Sequence, residues 1–239
     1  LGVRPQDSPI GRGYMAAGYL KMYEISGHQE YKRKAVQCLD WLIENRSSGN
    51  GHYAWGNHFD YASRTGRLAR YEPTIVWTSL IGQAFLDAYE TMRLDQHLRA
   101  AVRICEWILA LPREKTSTGT CLSYVASHQS SIHNSNMLGA AMLARTARMT
   151  GDDTCLPIAE EAIAYSCSRQ LPSGAWYYGD ATDHHWIDNF HTGYNLASLK
   201  CYTDNTHDRT YESNLSRGFS FFRRNLFEED GRPKYYHDR

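Results

Sequence analysis

The sequence predicts an all-α fold built from about four helical hairpins that are joined by aromatic loops. Similar segments recur along the 239 residues at intervals of 56 to 66 positions. Apolar residues within these segments recur every three or four positions, as they do on one face of a helix. No segment shows the sustained alternation of apolar and polar residues that is typical of a half-buried strand.

Three series of residues define the repeat. A leucine marks the first helix of each unit, at Leu20, Leu86, Leu143 and Leu199. An aromatic residue marks the second helix, at Trp41, Trp107, Tyr165 and Phe221. A glycine followed by aromatic residues opens each loop, at Gly51, Gly119, Gly174 and Gly231. Because the three series share nearly one period, each unit is expected to contain a first helix, a short turn, a second helix and a longer loop.

The two helices of each unit differ in composition. First helices such as "GAAMLARTA" (139–147) are rich in alanine and glycine, whereas second helices such as "YKRKAVQCLDWLIENR" (31–46) carry more charge. Turns such as "MTGDDT" (149–154) contain the glycine that ends one helix and the polar residues that cap the next. We therefore expect inner first helices and amphipathic outer second helices, which stack into a curved array or close into a ring.

Length and charge limit the classes of protein to which this chain can belong. The chain is long enough for one domain over residues 1–239. Its first residues resemble the end of a loop, and it stops after "YYHDR" (235–239). A fragment of a longer chain would also show these two features. The 26 basic and 26 acidic residues balance, which argues against a nucleic-acid partner. No apolar run approaches the roughly 18 residues that would predict a membrane span.

The cysteines and histidines do not predict a metal site. The six cysteines form no Cys-x-x-Cys pair, so neither a zinc ion nor another cofactor is expected. The adjacent residues His184 and His185 point apart in an extended chain, so no metal is assigned to them. Cys38 and Cys105 lie in apolar helical patterns, which indicates buried thiols and favours a reducing compartment. A cytoplasmic location is therefore expected, with a periplasmic one as the alternative.

Two stretches of the sequence carry a family resemblance. They are "SIHNSNMLGAAMLARTARMTGD" (131–152) and "GAWYYGDATDHHWIDNFHTGYNLASLKCY" (174–202). With the hairpin repeat, they make the chain similar to the (α/α)-toroid, six-hairpin-glycosidase-like superfamily, and most of all to bacterial polysaccharide-biosynthesis proteins with a toroid domain. The resemblance implies a toroid or partial toroid that acts on glycans. It does not choose the reaction, because toroids host hydrolases, lyases, epimerases and terpenoid cyclases.

The starts of the first helices are the predicted location of a functional site. Aligned on the leucine series, they place Gly11, Trp77, Asn134 and Phe190 in one slot, and Arg12, Thr78, Ser135 and His191 in the next. An aligned position with a purely structural role would tend to hold similar residues in every repeat. The variation predicts that the helix starts and the loops before them line one rim of a central cavity.

The segment "WIDNFHTGYNL" (186–196) carries Asp188, Asn189 and His191. One interpretation is a helix N-cap followed by exposed polar residues. The other is a general base, since the N-terminus of a helix stabilises the charged form of a carboxylate and His191 lies one turn away. Both interpretations remain open at the level of sequence.

The segment "SIHNSN" (131–136) offers His133 and Asn134. Uronate lyases and epimerases need a base at C5 and a neutralised carboxylate, which His133 with Tyr178 and Asn134 would supply. The alternative is a structural histidine whose ring nitrogens are satisfied by neighbouring groups.

Aromatic and acidic loop residues complete the predicted site. Trp55 and Trp176 are candidates to stack on sugar rings, with Asp60 nearby in a loop that otherwise only covers the core. A hydrolase would need two facing carboxylates roughly 5–5.5 or 6.5–9.5 Å apart, and the available acids are Asp60, Asp180 and Asp188. The predicted catalytic residues are Asp188, Asp60, His133 and Tyr178. The predicted substrate-binding residues are Trp55, Trp77, Asn134, Trp176, Asp180, Asn189, His191 and Arg12.

These residues favour a carbohydrate-active protein of polysaccharide metabolism or biosynthesis that acts on or binds a glycan. Whether it is a hydrolase, a lyase or an epimerase, or an enzyme at all, is left open. The alternative is a non-catalytic helical-repeat module that binds protein partners in a polysaccharide assembly or export system. A terpenoid cyclase is disfavoured, because its cavity would be nearly all apolar.

Overall fold

A computed structural model of the chain describes residues 6–47, 53–64 and 66–238. These residues form eight α-helices and two small antiparallel β-hairpins, so the predicted all-α class and the four helical hairpins are confirmed. The chain divides into two compact units, Leu1–Ala110 and Leu111–Arg239, called unit 1 and unit 2 below. Gly51, the first member of the loop glycine series, lies outside the described residues. A single domain over residues 1–239 stays a prediction.

Unit 1 contains two helical hairpins and one β-hairpin. Its elements are α1 (Pro9–Ser26), α2 (Gln29–Glu44), β1 (Tyr61–Ser63), β2 (Gly66–Leu68), α3 (Ile75–Met92) and α4 (Asp95–Leu109). Helix α1 packs against α2 and α3, and α3 packs against α4. The first helices therefore lie side by side, and each is covered by the second helix of its own hairpin.

Unit 2 repeats this arrangement. Its elements are β3 (Arg113–Thr116), β4 (Gly119–Leu122), α5 (His133–Thr150), α6 (Leu156–Ser168), α7 (Asn189–Thr206) and α8 (Glu212–Asn225). Helix α5 packs against α6 and α7, and α7 packs against α8. The helix α5 is the most enclosed, with 14 of its 18 residues buried. Small residues such as Gly139, Ala140 and Ala141 permit this close approach of its neighbours, as an inner helix requires.

The four first helices share their length and both of their ends. Each has 18 residues. The N-caps are Ser8, Thr74, Ile132 and Asp188. The C-caps are Gly27, Arg93, Gly151 and His207, all with left-handed backbone. Both sets of caps recur with steps of 66, 58 and 56 residues, which are also the steps of the Trp41 series.

The caps correct the sequence alignment of the helix starts by one residue. The leucine series takes a step of 57 residues where the caps take 58, so the position equivalent to Leu20 is Ala144 and not Leu143. The residues equivalent to Gly11 and Trp77 are accordingly Ser135 and His191. The alignment failed because all four leucines are buried, and a buried face accepts a leucine at either of two adjacent positions.

The loop glycines are required by close packing. A side chain at Gly119 would place its Cβ 2.3 Å from the carbonyl oxygen of Glu161 in α6. A side chain at Gly174 would place its Cβ 2.4 Å from the carbonyl oxygen of Arg217 in α8. Both glycines also have positive φ angles. These two loops therefore pack their glycines against the second helix of the following hairpin, whereas a Cβ at Gly231 would meet no described atom within 4 Å.

The left-handed C-cap at His207 predicts a stabilising substitution. The position has φ 59° and ψ 14°, a backbone that costs a residue with a Cβ more than it costs glycine. We expect His207→Gly to raise the free energy of unfolding by about 0.5–1 kcal/mol in urea titrations. The matched control is Gly151→Ala at the equivalent cap of α5, which should lower it by a similar amount. A loss of stability in His207→Gly would contradict this account of the caps.

Candidate functional site

The N-terminus of α7 is built around the carboxylate of Asp188. This side chain is 3% exposed, and its Oδ1 accepts the backbone N–H of His191 at 2.8 Å. Its Oδ2 accepts the Nε1–H of Trp186 at 3.0 Å. Asp188 is therefore the N-cap that one interpretation of the sequence predicted. The same carboxylate also contacts the imidazole of His191, so the cap and the functional interpretation are compatible.

The imidazole of His191 is oriented by this carboxylate. Its Nδ1 lies 2.6 Å from Asp188 Oδ2, and 28% of the side chain is exposed. No described residue forms a hydrogen bond with Nε2. Burial alone would raise the pKa of Asp188, but its hydrogen bonds from His191 lower the pKa below the usual value. An ionised carboxylate behind Nδ1 and an unengaged Nε2 are the arrangement of an oriented general base.

Aromatic rings enclose the His191–Asp188 pair. The ring of Tyr178 stacks on Trp186 with centroids 4.5 Å apart and contacts the His191 ring at 4.5 Å in an edge-on geometry. His184 lies edge-on to Tyr178 at 5.5 Å. Phe190 is 62% exposed and follows directly after the cap. The predicted catalytic residue Tyr178 thus lies beside His191, and Trp186 is a site residue that the sequence reasoning missed.

The C-terminal segment holds the start of α7 in place. The backbone of Asp188 forms a β-bridge with Tyr236, and the N–H of Asn189 donates to the carbonyl of Tyr235 at 2.9 Å. The amide nitrogen of Asn189 donates to the carbonyl of Leu226 at 2.7 Å. Asn189 was predicted to bind substrate, and its side chain serves instead as an anchor for this segment.

The start of α5 is joined to the same region. The N–H of His133 donates to the carbonyl of Tyr178 at 3.0 Å, and the N–H of Tyr178 donates to the carbonyl of Trp186 at 2.9 Å. Unit 2 therefore brings together the beginnings of two first helices, as the repeat predicted. Convergence of all four helix starts on one rim stays a prediction.

His133 belongs to a buried polar network. Its Nε2 lies 3.0 Å from Asp180 Oδ1, and its Nδ1 lies 3.4 Å from Ser166 Oγ. Both ring nitrogens are engaged and the side chain is 2% exposed, which favours the structural alternative. A catalytic role for His133 stays a prediction.

Asp180 is the hub of this network. Its Oδ2 accepts the phenol of Tyr165 at 2.6 Å and the Nε–H of Arg169 at 2.6 Å. Burial raises its pKa, but the hydrogen bonds from His133, Tyr165 and Arg169 more than offset this and hold the pKa far below its usual value. The network ties the loop before α7 to α5 and α6, which gives Asp180 a structural role, and sugar binding by Asp180 stays a prediction.

The tryptophans predicted to stack on sugars are core residues. Trp55 and Trp176 are 0% and 1% exposed. Their indole N–H groups donate to the carbonyls of Leu42 and Ser166, at 2.9 and 2.8 Å. Both rings are enclosed in the core, and a role in stacking on sugars stays a prediction for them. Sequence shows that an aromatic residue is present in a loop but not which way the loop folds.

The remaining candidates of unit 1 lie directly before β1 and in the first turns of α1 and α3. Asp60 is exposed, pairs with Arg67 at 2.6 Å and accepts the N–H of Arg70 at 2.9 Å. Trp77 is half-buried and lies edge-on to Tyr61 at 5.8 Å. Arg12 pairs with Asp7 at 2.8 Å and lies over the ring of Trp41. These contacts account for Asp60 and Arg12 as surface ion pairs, and a role in substrate binding stays a prediction for Trp77 and Arg12.

Neither a metal cluster nor a membrane span appears in the part of the chain that the structure describes. No three histidine, cysteine or acidic side chains converge there as metal ligands would. Within the same residues, no helix combines the length and the apolar character needed to cross a bilayer. All six cysteines are free thiols, five of them buried.

Solved structures of carbohydrate-active enzymes are similar to this chain. A cellobiose 2-epimerase from Bacillus thermoamylovorans matches with a TM-score of 0.73 and 10% identity, over 97% of this chain and 66% of that one. A family 76 α-mannanase from Bacteroides thetaiotaomicron matches with a TM-score of 0.67 and 15% identity, over 98% and 63%. An inactive α-1,6-mannanase from Salegentibacter in complex with α-1,6-mannotetrose matches with a TM-score of 0.68 and 16% identity, over 94% and 66%.

These similarities define the class of fold. The chain has an (α/α)-toroid fold, which it shares with the epimerase and the mannanases and which the resemblance implied. It spans less than two thirds of the length of the structures just described. No protein-family model matches the sequence, and no curated protein matches it either. Fold similarity at this identity does not carry a reaction with it.

The lowered pKa of Asp188 predicts how its contribution to stability depends on pH. A carboxyl group whose folded pKa is depressed stabilises the fold above its ordinary pKa of about 3.9, and this stabilisation disappears as pH falls through the folded pKa. Asp188→Asn keeps a capping side chain but has no charge to lose. We expect it to be about 2 kcal/mol less stable than the native protein at pH 7, with a difference that shrinks below pH 4.

Urea unfolding at pH 7, 5, 4 and 3 measures this difference. The control is Asp183→Asn, since that side chain is 84% exposed and should leave the profile unchanged. A gap between Asp188→Asn and the native protein that stays constant down to pH 3 would show that the charge of Asp188 does not stabilise the fold.

Proposed function

We propose that this chain is part of a carbohydrate-active enzyme in which His191 removes a proton from a sugar carbon. The carbon would lie next to a carbonyl or carboxylate group, as in epimerisation, isomerisation or elimination. The observation that carries the proposal is the His191–Asp188 pair, 2.6 Å apart, with Nε2 unengaged by the described residues. Its part-exposed ring and the adjacent rings of Tyr178 and Phe190 suit a site for a sugar.

The acids of unit 2 favour base chemistry over glycoside hydrolysis. A hydrolase needs a carboxylic acid with a raised pKa to protonate the leaving group, with a second carboxylate opposite it. Asp180 and Asp188 instead have lowered pKa values, because both carboxylates accept several hydrogen bonds. They are held ionised and are poor proton donors.

The consecutive aspartates of this sequence do not lie at the candidate site. The inactive mannanase carries alanine in place of two consecutive aspartates. The one pair of consecutive aspartates in this sequence is Asp152 and Asp153. They lie beyond the C-terminal end of α5, where Asp152 caps a short 3₁₀ turn by accepting the N–H of Thr154. A mannanase-like acid pair is therefore not the basis of this proposal.

The wider setting is also part of the proposal. The sequence resemblance suggests polysaccharide biosynthesis as the pathway, the cytoplasm as the location and proteins of polysaccharide export as partners. The oligosaccharide in the complex of the similar mannanase supports a glycan ligand.

Hydrogen exchange at carbon tests the proposed reaction. We expect the native protein, incubated in D₂O with cellobiose or with a uronic-acid oligosaccharide, to introduce deuterium next to the carbonyl or carboxylate, as read by NMR. His191→Gln should lower this rate by about 10²–10⁴-fold, because the general base is lost. The saccharide should still bind to that variant.

A matched histidine provides the control. His185 lies in the same loop, stacks on Tyr177 at 4.2 Å and makes no contact with Asp188, so His185→Gln should exchange at the native rate. Glycan binding by the native protein without exchange or turnover would favour the alternative, a non-catalytic binding module. Equal rates in His191→Gln and the native protein would refute the role of His191.

A further inference from the structure

One turn into α7 from His191, a buried amide has an oxygen without a hydrogen-bond partner. Asn195 is 2% exposed, and no described residue donates to its Oδ1. Residues four apart on a helix are neighbours on the same face, with Cβ atoms about 5–6 Å apart. Asn195 therefore lies on the same face of α7 as His191, one turn further from the start of the helix.

The same face of α7 continues to be polar. Ser198, three residues beyond Asn195, is buried, and its Oγ has no partner among the described residues. Helix α5, which packs against α7, carries a second such amide at its start. Asn134 is 2% exposed, and its Oδ1 is likewise without a partner. Unpaired buried polar atoms thus gather on the two helices whose beginnings frame the candidate site.

Such groups are costly for a folded protein. A buried polar atom that loses its bonds to water and gains none destabilises the fold, so most buried polar atoms are paired. Elsewhere in unit 2, Asn136 shows the usual outcome. Its amide nitrogen donates to the carbonyl of Ala162 at 2.7 Å, and its oxygen accepts the N–H of Leu122 at 2.9 Å. The oxygens of Asn195 and Asn134 can therefore each accept a further hydrogen bond, from a ligand hydroxyl or from water.

We infer that Asn195, assisted by Asn134, binds hydroxyl groups of the saccharide on which His191 acts. The inference rests on the proposed function and adds the residues that would hold the sugar. An amide presents both a donor and an acceptor and carries no charge, which suits the hydroxyl groups of a neutral sugar ring. Neither Asn195 nor Asn134 is held by another side chain, so each is free to bond the ligand.

Substitution by leucine separates this role from a structural one. Leucine has the same branched outline as asparagine and no polar atom to leave unpaired, although its two methyl groups are larger than the amide oxygen and nitrogen that they replace. We expect Asn195→Leu to raise the melting temperature of the ligand-free protein by a few degrees. It should also weaken binding of cellobiose or α-1,6-mannotetrose at least 10-fold in calorimetric titrations. A gain in stability with a loss of affinity is a combination that a merely structural asparagine would not give.

Two further variants keep the test decisive. Asn195→Ala removes the amide without adding bulk and should lose affinity to the same extent, so it replaces the leucine variant if that variant does not fold. Ser79→Ala, at a buried hydroxyl of α3 that also lacks a partner, should leave the affinity unchanged.

The possible outcomes distinguish this inference from the proposed reaction. Native affinity in both Asn195→Leu and Asn195→Ala would overturn the role of Asn195 and assign its amide to structure or bound water. Saccharide binding that depends on Asn195, without hydrogen exchange at carbon, would support the binding role and refute the proposed reaction. No binding of either saccharide to the native protein would overturn both.

Discussion

The buried carboxylate of Asp188 is the interaction on which the candidate site depends. It accepts the backbone N–H of His191 in the first turn of α7, holds the indole of Trp186 and fixes the ring of His191. Burial would otherwise raise its pKa, and the hydrogen bonds from these donors lower the pKa below its usual value. A single ionised group therefore determines where a helix begins and which nitrogen of a histidine faces outward.

This arrangement grows out of a structural feature that other repeats share. Ser8 and Thr74 also cap their helices by accepting the N–H of the third residue, at Gly11 and Trp77. In the fourth repeat the capping residue is an acid and the third residue is a histidine. The cap then gains a second role, because the same geometry that satisfies a backbone N–H brings the imidazole to the carboxylate. The fourth repeat thus places an imidazole against a carboxylate while keeping the N-cap geometry of the first and second repeats.

The sequence was more informative about the helices than about the site. Periodicity and the three residue series predicted four hairpins, because helix faces and caps are local properties of the chain. His133 and His191 both stand at the start of a first helix, and only their partners differ. His133 is bonded by Asp180, which is 47 positions away, whereas His191 is bonded by Asp188 within the same turn. The contact between Asp188 and His191 could be predicted because both residues lie in one turn of helix. The burial of Trp55 and Trp176 could not be predicted, because the folding of a loop depends on distant residues.

The tautomer of His191 tests this account most directly. In the neutral ring, the account predicts that Nδ1 carries the hydrogen donated to Asp188 and that Nε2 has a free lone pair. Long-range ¹H–¹⁵N correlation NMR of the protein with ¹⁵N-labelled histidine distinguishes the two nitrogens by their chemical shifts. A spectrum in which His191 shows a protonated Nδ1 and an unprotonated Nε2 would agree with an oriented base. A spectrum showing the opposite tautomer would contradict it, because Nε2 would then have no lone pair to accept a proton from a sugar.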